Sequence, residues 1–215
     1  MREPTDALIE NLARDATPVK ALSPPYARAG AFVAAVLAVM GAVAFFAGHV
    51  DEALSSFSDM PFAAAFAGAL VTGVCAIVAA VVLSVPGRSE AWMLLPLPGA
   101  LLWLLGSGTQ CYQAVAAFGW GDDGPFASMA CFEFIATAGL PVAVGIYFLL
   151  RRSVETNLAE VTALAGLGAA MLAAALLQFF HPHSADPVDL ASHIAAVIAL
   201  IAAMMTLGRR ALKRA

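Results

Sequence analysis

Hydrophobic and polar positions alternate along this chain in long blocks, not with the short period of strands. Six apolar stretches stand out, at about 28–48, 62–85, 91–111, 126–150, 158–180 and 187–207. Each approaches or exceeds the ~20 apolar residues that a helix needs to cross a bilayer. Turn formers or charges bound most of them, as at Pro86-Gly87-Arg88, Arg151-Arg152 and His181-Pro182-His183. Before the first stretch, residues 5–16 follow a different rhythm. Leu8, Ile9, Leu12 and Ala13 fall on one helical face, with Glu10, Arg14 and Asp15 mostly off it. Thr5 or Asp6 is placed to cap this short amphipathic helix. The predicted fold is all-α and polytopic. Residues 1–27 form an N-terminal segment, 28–207 a six-helix transmembrane bundle and 208–215 a basic tail.

Composition agrees with the pattern. Hydrophobic residues make up 61% of the 215 positions and charged residues 12%, against roughly 25% charge in soluble domains. Mean hydropathy is +0.85. Six spans leave no room for a folded soluble domain, which excludes a secreted enzyme and a nucleic-acid-binding domain. The first span is too long and too far from the start for a cleaved signal peptide, so it reads as a retained anchor.

Charge placement adds an orientation. Arg2, Arg14, Lys20 and Arg28 precede or open the first span. Arg88 follows the second, Arg151 and Arg152 the fourth, and Arg209, Arg210, Lys213 and Arg214 the sixth. These are all 11 Lys and Arg in the protein. The remaining loops carry Asp51, Glu52, Asp59, Asp122, Asp123 and Asp186 instead. Lys and Arg near span ends are retained in the cytoplasm, so both termini are expected there. Pro96, Pro98 and Pro141 are read inside spans three and four, where they should kink the helices. Ala165, Ala169 and Ala173 give span five a small-residue stripe for close packing.

Chemistry-bearing residues are sparse. Glu160 and Asp189 fall at span ends, within reach of water. Glu133 and His193 lie about two turns inside spans four and six, near the outer side. Intramembrane ionisable residues are functional candidates because leaving them unpaired is costly. The bare midplane argues against a proton-coupled transporter. Cys75 reads as a packing residue. Cys111, at the outer end of span three, and Cys131, near that of span four, are one candidate disulfide pair, because the periplasm is oxidising, although sequence does not fix the Cα separation that a disulfide requires. Alternatively Cys131, His181, His183, His193 and Glu133 supply an S/N/O ligand set of zinc type, though in no recognised metal spacing. No nucleophile elbow, P-loop, metalloprotease helix or dinucleotide fingerprint is present, and no enzyme is expected. Apart from a metal at that cluster, neither a cofactor nor a small-molecule substrate is anticipated.

The tail, Leu8-Ile9-x-x-Leu12-Ala13-x-Asp15-x-x-Pro18-Val19-x-x-Leu22-x-Pro24-Pro25, followed by Arg28 and six spans, resembles the NrsF family. Cys131 with Gly139-Leu140-Pro141 downstream, then Pro182, Asp186 and His193, continue the likeness. The resemblance implies a six-span bacterial inner-membrane anti-sigma factor restraining an ECF-type sigma factor, its protein partner. It implies capture through the cytoplasmic tail, with Leu8, Ile9, Leu12, Asp15, Pro18, Val19 and Leu22 as contacts. It also implies release on an oxidant or heavy-metal stress sensed on the periplasmic side by a pair of cysteines. Cys131 matches one of that pair, but His181 stands where the second is expected. Either Cys111 substitutes, or Cys131 binds a metal with His181 and His193, or the stimulus differs. Two readings outside this family are a small transporter or channel, and a membrane metal or redox protein using the outer Cys/His/Glu group.

Overall fold

The computed structural model describes residues 3–16, 23–119, 129–151, 158–180 and 187–212. Among them the chain is helical throughout, without strands. Helix α1 spans Glu3–Asp15, α2 Pro25–Ala47, α3 Val50–Ser56 and α4 Met60–Leu83. A 3₁₀ turn at Glu90–Leu94 leads into α5, Leu97–Phe118. Helices α6, Met129–Leu150, α7, Leu158–Leu177, and α8, Pro187–Leu212, complete the order. Among the described residues, six segments are long and apolar enough to cross a membrane: α2, α4, the 3₁₀ turn with α5, α6, α7 and α8.

Helices α4 and α7 form the centre of the bundle. Helix α4 packs along α5 and α7, and α7 along α4, α6 and α8. Small residues make this possible. Ala165, Ala169 and Ala173 are all buried, as the stripe in span five predicts. A Cβ built on Gly68 would fall 2.2 Å from the Trp103 backbone nitrogen, and one on Gly106 2.4 Å from that of Ala65. Helices α4 and α5 thus touch nearly backbone to backbone at two levels. Buried hydroxyls are satisfied within their own helices, Thr72 donating to the Gly68 carbonyl and Thr162 to that of Leu158. Gln110 reaches across from α5 to the Pro61 carbonyl at 3.2 Å.

Two of the three prolines read as kinks do something else. Pro96 caps α5 and Pro98 sits in its first turn, where a missing N–H is no loss because no partner exists for it there. The long helix of span three therefore begins at Leu97 and runs on to Phe118, about two turns beyond the predicted end at 111. Pro141 does lie inside α6. The predicted loop at 49–61 contains α3, and the side chain of Asp59 caps α4 by accepting from the Phe62 amide at 3.3 Å.

The contacts sort the helix ends into two faces. On one, Arg28 donates to the Leu149 carbonyl at the end of α6. Tyr26 meets Trp92 at 5.9 Å, Arg88 lies over the Tyr26 ring, and Gly208 packs beside Leu158 and Thr162. This face carries Arg28, Arg88, Arg151, Arg209 and Arg210. One carboxylate oxygen of Glu160 is buried here without a hydrogen-bond partner among the described residues, not open to water as its position at a span end suggests. On the opposite face, the His49 amide donates to the Phe179 carbonyl at 2.6 Å. Phe57, Phe62, Phe66 and Phe179 there form a chain of edge-on rings.

Candidate functional site

Two places gather the residues singled out from the sequence. The first is α1. It begins at Glu3, ahead of both expected caps, so Thr5 and Asp6 lie within it. Leu8, Ile9 and Leu12 are 57%, 59% and 63% exposed, so their stripe is unburied by the bundle. Arg14 pairs with Glu10 at 3.3 Å on the polar side, an exposed i,i+4 contact that stabilises the helix only slightly. Asp15 is exposed at its end. Pro18, Val19 and Leu22 lie outside the described residues.

The second is the opposite face, where α6 and α8 begin. Cys131, two residues after the start of α6, is 4% exposed among Ile135, Ala174, Leu177, Ala196 and Leu200. Its Sγ donates to Asp189 Oδ1 at 3.6 Å. Asp189 stands in the first turn of α8, where the helix dipole favours a carboxylate. One turn further, His193 Nδ1 lies 2.7 Å from the Asp189 carbonyl. A carbonyl only accepts, so Nδ1 carries the proton and Nε2 is the acceptor or ligating atom of the neutral ring. Asp189 therefore joins the thiol through its side chain and the imidazole through its backbone.

Asp189 is the residue that sequence reasoning missed. Its position at a span end reads as solvated, yet the i,i+4 spacing of Asp189 and His193 places both on one helical face. Glu133, by contrast, does not join the cluster. It follows Cys131 by two residues, roughly 200° around the helix, and is exposed. Cys111 is half-buried on α5, and no disulfide joins it to Cys131. His181 and His183 lie outside the described residues. Among the described ones, no three His, Cys, Asp or Glu side chains group so as to hold a metal ion.

The family described as negative regulator of sigma F, NrsF, matches the chain over residues 12–213. The chain belongs to the NrsF family. The match includes the whole bundle and the tail from Leu12 onward, while Leu8 and Ile9 precede it. The family is one of regulators, not a known class of enzyme. Neither a curated protein nor a solved structure matches the chain.

Proposed function

We propose that this NrsF-family protein is a membrane-embedded anti-sigma factor of the bacterial inner membrane, with both termini in the cytoplasm. It holds an ECF-type sigma factor through its N-terminal segment and releases it when a stress reaches the periplasmic side. The observation that carries this reading is the exposed stripe of Leu8, Ile9 and Leu12 on α1. A three-residue apolar stripe on a soluble-facing helix calls for a groove to cover it. Membrane-surface helices usually present Lys and Arg on the polar face. Here Asp6, Glu10 and Asp15 outnumber Arg14, which suits a basic protein surface better than an anionic bilayer. The asymmetry of Lys and Arg supports the orientation.

In this reading Cys131, Asp189 and His193 form the receiving end. Oxidation of the thiol or its engagement by a metal breaks the Cys131–Asp189 contact between α6 and α8. His181 is the further ligand in the metal version, and Cys111 the partner in the disulfide version. Any such ligand acts only through a difference in affinity between the sigma-bound and sigma-released states. Shifting the population from 1:99 to 99:1 requires about 5.5 kcal/mol of that difference.

The test is co-purification of the full-length, membrane-extracted protein with its cytoplasmic partners. An ECF-type sigma factor is expected with the native chain and absent with Leu12→Asp. Recovery of equal amounts with both would remove the stripe from the capture role.

A further inference from the structure

Helices α2 and α6 are joined at one end and parted at the other. On the arginine face, Arg28 donates to the Leu149 carbonyl. A Cβ on Gly145 would sit 2.8 Å from the Phe32 ring, so the ring already lies against α6 there. Towards the opposite face the helices separate around a cleft of about 530 Å³. Val36, Val39 and Val43 line it from α2, and Phe134, Ala138 and Pro141 from α6. Thr137 also lines it, but its hydroxyl is satisfied by the Glu133 and Phe134 carbonyls. The volume lies within the ~300–1,000 Å³ typical of small-ligand sites.

We propose that this cleft seats one acyl chain of a phospholipid bearing a primary ammonium headgroup, with the headgroup held at Glu133. The proposal rests on the six spans lying in a bilayer and is independent of sigma-factor capture. Three observations select this occupant. The lining from Phe134 to Val142 is about 12 Å long at ~1.5 Å per residue, close to the ~15 Å depth of one leaflet of a ~30 Å hydrocarbon core. The lining offers an apolar chain no unsatisfied polar group. One turn before the lining residue Thr137, on the same helical face, stands the exposed residue Glu133. An ethanolamine ammonium donates N–H bonds to such a carboxylate, whereas a choline headgroup has none to donate. The neighbouring groove on the other side of α2, about 320 Å³, differs. Val50 of α3 and Phe66 and Leu70 of α4 are among its lining residues, and none comes from α6. Occupancy of the α2/α6 cleft would wedge the span that carries the capture segment against the helix that carries Cys131.

The experiment is native mass spectrometry of the full-length protein released from nanodiscs of equimolar phosphatidylethanolamine and phosphatidylcholine. One retained phospholipid per chain is expected, with phosphatidylethanolamine favoured about tenfold, as one charge-assisted hydrogen bond allows. Glu133→Gln is expected to bring the ratio close to one without abolishing retention. Val39→Trp, which fills the cleft from an exposed position on α2 and so spares folding, is expected to abolish retention. Equal retention of both headgroups by the native chain would overturn the assignment at Glu133. Retention unchanged in Val39→Trp would overturn the cleft as the seat.

Discussion

Cys131 is where a single atom separates two explanations. A buried thiol among Ile135, Ala174 and Leu177 fills space as any small apolar group would. A thiol donating to Asp189 Oδ1 also ties the start of α6 to the start of α8. Cys131→Ser keeps the donor and nearly the volume but removes the sulfur chemistry. It is expected to flatten the dose response of target genes to oxidant or metal while leaving sigma-factor restraint intact. A normal dose response in a well-expressed variant would sink the sensor role. Asp189 was hidden in the sequence because a carboxylate at a helix start is unremarkable in one dimension. Only the packing of α6 on α8 brings it to the thiol. The same holds for glycines. Gly106 and Gly108 are indistinguishable by sequence, yet a Cβ at Gly106 meets backbone at 2.4 Å while one at Gly108 meets nothing within 4 Å. Gly106→Val is therefore expected to destabilise the protein by about 1–3 kcal/mol or more, since backbone cannot yield as a side chain can. Gly108→Ala should be neutral or stabilise the helix by roughly 0.5–1 kcal/mol. Denaturant titration in detergent micelles separates these; equal midpoints for both variants would contradict the close approach of α4 and α5.

At the scale of elements, α1 is the piece whose sequence and placement agree most closely. Its apolar periodicity requires a helix with one sticky face, and the helix leaves that face exposed. Leu12→Asp places a charge in the middle of the stripe without touching any span. If α1 is the capture element, loss of a central apolar anchor of at least ~2 kcal/mol implies a thirtyfold or greater drop in sigma-factor affinity. Membrane insertion should remain normal, and unchanged target-gene output from the inserted variant would exclude α1. The start of α5 was less legible. Prolines within an apolar run predict kinks by their lost hydrogen bonds, but the same property makes proline a good first-turn residue. What decides is where the preceding helix stops, which the apolar pattern through Leu94, Leu95 and Leu97 does not mark. Pro98→Ala should accordingly change stability by no more than about 0.5 kcal/mol. A large loss in the same detergent titration would show that Pro98 does more than begin the helix.

For the whole molecule, the six-span architecture was legible because the number of apolar residues per stretch is dictated by bilayer thickness, a constraint stronger than local propensity. The order of packing was not. Nothing in the alternation of spans announces that α4 and α7 are central while α2 is attached chiefly along α4. That difference bears on the proposed signalling, because α2 follows the proposed capture segment in the chain and is held to α6 near the arginine face by Arg28 and Phe32. Orientation is the remaining global property, and the expectation for it comes from charge alone. Every Lys and Arg lies on one side of the alternation, and each resists translocation. Alkaline phosphatase fused after Phe57 should be active, because α3 would lie in the periplasm. The same enzyme fused after Ala215 should be inactive, whereas green fluorescent protein there should fluoresce. Active phosphatase at the C-terminus would invert the topology or break the even number of spans. Either result would put α1 on the wrong side of the membrane for a sigma factor, or place Cys131 in the reducing cytoplasm. Topology is thus the point at which the fold and the proposed signalling stand or fall together.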